Sequence, residues 1–185
     1  MNKRQIYGVI VCEDDAQERF IQGYLDARGY NYKRFPVRRS PKGHGSGKGY
    51  VEGRYVTEVG EFRRRKKMNA STTCALLVLI DWDTDRDPRL NLEEQLASAH
   101  VESRQSDEAV VVFAPRRSVE TWTYHLLDTE RPVDETVDYS LERFAMGSRE
   151  CRQAGENFAA YTQFENTPPS LRVGCEERKR IPANR

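Results

Sequence analysis

The chain has 185 residues, enough for one domain or one domain with an appendage and too few for two full-sized domains. Hydrophobic residues at 37% and aromatics at 10% exclude wholesale disorder, and a formal net charge of +1 excludes a uniformly basic nucleic-acid coat and an acidic tail protein alike. That neutrality averages unlike parts: residues 31–67 hold 12 Lys and Arg against 3 Glu, a local +9, which leaves −8 for the remainder.

The first apolar run, Ile6 to Cys12, is continuous, rich in Val and Ile, and too short for an independent helix. It predicts a strand buried on both faces, as in a parallel sheet. Its seven residues, interrupted by Gly8 and closed by Glu13, Asp14 and Asp15, make neither a signal peptide nor a membrane span. Asp15-Ala16-Gln17-Glu18 has the form of a capping box, and Phe20, Ile21, Tyr24 and Leu25 then line one helical face until Gly29. Tyr30 to Phe35 is a weaker strand candidate. A Gly- and Lys-rich loop follows, and a second helix is expected over Gly49 to Lys67, with Val51, Tyr55, Val59 and Phe62 at helical spacing and basic residues in the last turn, where the helix dipole is negative.

Ala75 to Ile80 and Ala109 to Ala114 repeat the buried-strand pattern. Each precedes a helix, one beginning near Asp87-Pro88 or Asn91 and the other at Ser118 with Val119, Trp122 and Leu126 inward. The alternation predicts an α/β wound sheet, central, mostly parallel and four-stranded, with helices on its faces and right-handed crossovers, spanning residues 1–128. Residues 129–185 lose the strand pattern. They read as a helical C-terminal appendage, with helical signals at 139–146 and 150–161 and a short helix after Thr167-Pro168-Pro169-Ser170. Cys12, Cys74, Cys151 and Cys175 show no zinc or disulfide spacing, so a reduced, cytoplasmic setting is expected.

Ligands of open α/β sheets bind beyond the carboxyl ends of the strands, and two such ends are acidic. The first strand runs into Glu13, and the strand ending at Ile80 runs into Asp81-Trp82-Asp83. If these strands are neighbours, Glu13 faces Asp81 and Asp83 across a crevice, a set of hard oxygen donors suited to Mg²⁺ or Mn²⁺. Helix capping is the competing use of such residues.

A Glu closing the first strand (VIVCE) and a DxD closing the third (LLVLIDWD) resemble the Toprim domain of topoisomerases, primases and OLD-type nucleases, nearest to the small stand-alone Toprim-like proteins of bacterial phage-defence loci. Arg117-Ser118-Val119-Glu120-Thr121-Trp122 is similar to a segment those proteins carry after the fourth strand, and the resemblance covers about residues 5–128. It implies a Rossmann-like Toprim fold and a metal-dependent nuclease. Asp81 and Asp83 would be metal ligands, Glu13 a ligand or proton-transfer group, and Glu120 a further carboxylate. Because such modules are often fused to or encoded beside an ABC-type ATPase, it also implies a partner ATPase subunit. A homo-oligomer is compatible with the sequence, and a non-catalytic nucleic-acid-binding module is the remaining alternative.

Two other motif readings fail. A response-regulator receiver needs a late lysine, and beyond residue 67 the chain has only Lys179. The Lys42–Gly49 loop breaks the GxxxxGK[ST] spacing of a phosphate-binding loop. Basic side chains remain as phosphate contacts: Arg38, Arg39, Lys42, Lys48, Arg63, Arg64, Arg65 and Lys66, with Arg116 and Arg117 ahead of Glu120. His125 reads as a helix-face residue rather than a catalytic base.

Overall fold

The structure, a computed structural model, describes residues 6–41, 43, 46–68, 73–141 and 146–182. Four strands form one sheet: β1 (Ile6–Cys12), β2 (Val37–Arg39), β3 (Thr73–Leu79) and β4 (Val110–Phe113), in the order β2-β1-β3-β4. All three pairings are parallel, with Ile10 opposite Val37, Val11 opposite Val78 and Val78 opposite Val112. Among the described residues six α-helices flank it: α1 (Asp15–Ala27), α2 (Gly47–Met68), α3 (Pro88–Ser98), α4 (Val119–Leu127), α5 (Ser148–Ala160) and α6 (Pro169–Glu177).

Alternating side chains of each strand supply the two cores, as the period of two requires. Ile10, Cys12, Leu77, Leu79, Val111 and Phe113 face α1, α4, α5 and α6, while Val9, Val11, Leu76, Val78, Val110 and Val112 face α2 and α3. On the first face Phe158 of α5 sits among Phe20, Tyr24, Phe113 and Trp122, with ring centroids 5.4–5.6 Å away. Helices α1 and α5 touch backbone to backbone. A Cβ at Gly23 would run into the Arg152 carbonyl, and one at Gly155 into the Phe20 carbonyl, so only hydrogen fits at either crossing point.

The sequence offers Tyr30 to Phe35 as a weaker strand candidate, but that segment contains a 3₁₀ turn (Tyr32–Arg34), and β2 lies at Val37–Arg39. The apolar side chains Tyr30 and Phe35 are buried as plugs, not as a strand. The cap of α1 is Asp14, whose carboxylate accepts the Gln17 N–H at 2.9 Å, one residue before the expected box. Helix α2 begins two residues early. Residues 139–141 form a turn instead of the helix expected over 139–146, of which 142–145 lie outside the described residues.

The edge of β4 is closed by side chains. Glu177 accepts the Val112 N–H at 3.0 Å, and Arg104 donates to the Val110 carbonyl at 3.3 Å while pairing with Glu93 and Glu177. Among the described residues no helix is long and apolar enough to cross a membrane, and the four cysteines are buried thiols.

Candidate functional site

The parallel pairing of β1 with β3 sets their carboxyl ends side by side, and the two ends are bonded directly: Glu13 Oε1 accepts the Asp81 N–H at 2.7 Å. Beyond β3 the chain stays extended. Trp82 forms a parallel bridge to Arg116, its N–H donates to the Pro115 carbonyl at 2.9 Å, and its carbonyl accepts the Arg117 N–H at 3.0 Å. Alternation along an extended chain sends Asp81 and Asp83 to one side and Trp82 to the other. The Trp82 ring accordingly lies beside the guanidinium groups of Arg116, at 4.8 Å, and Arg89, at 5.7 Å.

Asp81 and Asp83 open into a cleft of about 260 Å³, also lined by Asp14, Arg117, Ser118, Glu120, Asp138 and Ser140. Arg117 adopts the left-handed backbone (φ 67°), a strained conformation for a residue with a Cβ and one often found at working sites. Glu120 comes from the first turn of α4. Asp138 comes from the segment after α4 and is held in a turn by bonds from Ser140 N–H at 2.9 Å and Ser140 Oγ at 2.6 Å. Across Glu13 lies a second cleft of about 450 Å³, lined by Glu13, Asp14, Asp15, Ala16, Arg39, Ser40, Pro41 and Gly47. Gly47 is essential to its shape: a Cβ there would stand 2.9 Å from both Cβ and Oε2 of Glu13.

The crowding shows in proton affinities. Burial pushes the Glu13 carboxyl up to about 7; the Asp81 N–H bond opposes this, and the Asp83 charge adds to it. Asp81 is driven well above the usual carboxylate range, first by burial and then by Glu13, Asp14, Glu120 and Asp83, and Glu120 is raised chiefly by burial. Asp81 Oδ1 is sealed from solvent and has no hydrogen-bond partner among the described residues. An acceptor oxygen stranded amid like charges is a place for a cation. The donor set of carboxylate oxygens fits a hard divalent ion. Among the described residues, however, no three His, Cys, Asp or Glu side chains stand already arranged to hold one, so ligation requires carboxylates to turn inward.

The structure therefore brings together Glu13, Asp81, Asp83 and Glu120, and adds Asp14 and Asp138, which sequence reasoning missed. Asp14 caps α1, a role the sequence reading gives to Asp15, and Asp138 reaches the cleft only through the path of residues 129–141.

The basic residues divide. Arg39, beside the second cleft, pairs with Asp15 and Glu18, and Arg38 with Glu58 at 3.4 Å. Lys48 Nζ is shielded and has no hydrogen-bond partner among the described residues. Arg117 lines the carboxylate cleft and donates to the Asp83 carbonyl at 3.4 Å, whereas Arg116 lies on the Trp82 side with Asp85 at 3.5 Å. Arg63, Arg64, Arg65 and Lys66 lie at the far end of the 22-residue α2, roughly 24–29 Å of helix from Gly47. There they are engaged with Glu108, Glu61 and Asp107, and Arg65 covers the Tyr7 ring at 4.2 Å. Lys42 lies outside the described residues. His125 is buried, its Nε2 2.7 Å from the Tyr161 hydroxyl, away from the carboxylates.

No protein-family model matches the chain, and no curated relative does. Among solved structures, the C-terminal region of the Burkholderia pseudomallei OLD protein matches with a TM-score of 0.35 and 15% identity, over 95% of this chain and 96% of that one.

Proposed function

We propose that the protein is a divalent-metal-dependent, Toprim-like phosphodiesterase acting on DNA or RNA. The observation that carries this reading is Asp81: a sealed, unpartnered carboxylate oxygen at the end of β3, bonded through its own N–H to Glu13 and facing a cleft lined by Asp83, Glu120 and Asp138. The order of Glu13 and the Asp81/Asp83 pair along the chain, which resembles the Toprim pattern, supports it.

Asp81 and Asp83 would hold Mg²⁺ or Mn²⁺, with Glu13 or Glu120 completing the set. When bound, the ion supplies neutralisation of the clustered charge and polarisation of a phosphate oxygen. Glu13, with a proton affinity near neutrality, can take a proton from the attacking water and return it to the departing oxygen. Arg117 lies at the same cleft, where its guanidinium can hold a phosphate oxygen. Arg39, which lines the cleft on the other side of Glu13, can contact the backbone of the nucleic acid.

Purified protein incubated with Mn²⁺ and single- or double-stranded DNA and RNA should cleave at least one of them, and Asp81→Asn should reduce the rate roughly 100-fold or more, about 2.7 kcal/mol. Cleavage undiminished in Asp81→Asn removes the assignment. Salt-sensitive binding without cleavage in the wild type assigns the protein instead to non-catalytic nucleic-acid binding.

A further inference from the structure

The segment that delivers Arg117 and Glu120 to the carboxylate cleft is tied to the C-terminal helices by one buried hydroxyl, that of Ser170 in α6. A serine hydroxyl has one proton to give and two lone pairs to fill, and here all three are engaged. Ser170 Oγ accepts the Arg116 N–H at 3.2 Å and the Trp122 Nε1–H at 2.7 Å, and it donates to Glu135 Oε1 at 2.6 Å. The two donors bracket the segment, since Arg116 directly precedes Arg117 and Trp122 follows Glu120 in α4. Glu135 sets the direction of the hydroxyl. Its Oε1 also accepts the Ser170 N–H at 2.9 Å, and because Pro168 and Pro169 carry no N–H, that amide is the first that the start of α6 can offer. With the Ser170 proton committed to Glu135, the lone pairs are left for Arg116 and Trp122. One turn further along α6 the fit is tight: a Cβ at Gly174 would stand 2.4 Å from the Trp122 ring, so the helix lies directly against the indole.

The residue that needs holding is Arg117, with its left-handed backbone. Its N–H donates to the Trp82 carbonyl at 3.0 Å, and the Ser118 N–H closes back on the Arg116 carbonyl at 2.9 Å. The Arg116 N–H bond to Ser170 is what ties this turn to α6.

We propose that Ser170, oriented by Glu135, is a positioning residue that holds Arg117 in this conformation at the cleft, which makes α6 a part of the candidate site. The proposal rests on the phosphodiesterase reading for its effect on rate, while the hold itself is a property of the unliganded chain.

The test uses the full chain, ¹⁵N-labelled, as wild type, Ser170→Ala, Glu135→Ala, Glu135→Gln, Arg117→Ala and the double variant Ser170→Ala/Arg117→Ala. Exchange of the Arg116 and Arg117 amide protons should quicken about tenfold or more in Ser170→Ala and Glu135→Ala, while that of Val78, in the middle of the sheet, stays as it was. Glu135→Gln keeps an acceptor for both Ser170 donors and should recover the slow exchange. With Mn²⁺ and nucleic acid, Ser170→Ala should lower kcat about tenfold, and the same change made on top of Arg117→Ala should lower it less than about twofold, because the residue it acts through is already gone. A wild-type kcat in Ser170→Ala, or an equal loss with and without Arg117, overturns the proposal. So does exchange at Arg116 and Arg117 that is unchanged, or that quickens only in step with Val78, since the hydroxyl would then serve the fold as a whole. If Ser170→Ala does not fold, the two Glu135 variants decide by the same exchange measurement. A wild type that cleaves nothing removes the phosphodiesterase reading alone, and the exchange rates still judge the hold.

Discussion

Replacing Glu13 by Gln should make the metal-free protein more stable, and only at neutral and alkaline pH. The folded chain holds the Glu13 proton up to about pH 7, while an unfolded chain releases it at an ordinary 4.5. Between these values the folded state binds more protons, so stability falls as pH rises through that window, and the loss is complete above it. At about 1.4 kcal/mol per pH unit the full difference is about 3 kcal/mol, and partial solvent access reduces it to about 2. Asp81, raised in the same direction, adds to the fall in the wild type. Glutamine keeps an oxygen for the Asp81 N–H and carries no charge, so Glu13→Gln should match the wild type closely near pH 5 and exceed it by about 2 kcal/mol near pH 8. Urea unfolding in the presence of a chelator measures both. Millimolar Mn²⁺ should restore much of the wild-type loss near pH 8 and stabilise the variant less. Equal stability of the two proteins near pH 8, or a wild type indifferent to pH across this range, would refute the reasoning that these carboxylates are crowded beyond comfort.

Other substitutions probe the supports of the site. Gly47→Ala places a methyl 2.9 Å from Glu13 Oε2 and should lower the rate of the proposed phosphodiesterase reaction about tenfold or more while costing about 1–3 kcal/mol in urea unfolding. Gly155→Ala drives a methyl into the Phe20 carbonyl and should cost at least about 3 kcal/mol by the same measurement, because backbone cannot step aside as a side chain does. Arg104→Met strands Glu93 and Glu177 beside β4 and should cost about 3–5 kcal/mol in thermal or urea unfolding, with part recovered in the double variant Arg104→Met/Glu177→Gln.

The three apolar strands were legible because residues buried on both faces admit few alternatives to Val, Ile and Leu, and with them came the acidic ends that frame the cleft. β2 was not legible: three half-buried residues, Val37, Arg38 and Arg39, at a sheet edge carry no hydrophobic signature, whereas Tyr30 and Phe35 imitate one. The paired Asp14 and Asp15 offer two equivalent caps, and only the backbone path selects the first. The adjacency of the basic run to the carboxylates was a matter of sequence distance; α2 converts it into separation, leaving Arg63 to Lys66 at the opposite end of the sheet. Asp138 enters through a long irregular segment whose course is fixed by tertiary contacts, such as Glu135 accepting from Ser170 at 2.6 Å.

The position of Phe158 has a consequence for how the molecule comes into being. During synthesis the whole sheet and its acidic strand ends leave the ribosome before α5 exists, and until then Phe20, Tyr24, Phe113 and Trp122 have an empty place at their centre. Gly23 waits equally for the backbone of α5. The nascent chain thus carries its carboxylates through a period in which the scaffold beneath them is incomplete. The chemistry proposed for the cleft would therefore belong to the finished molecule.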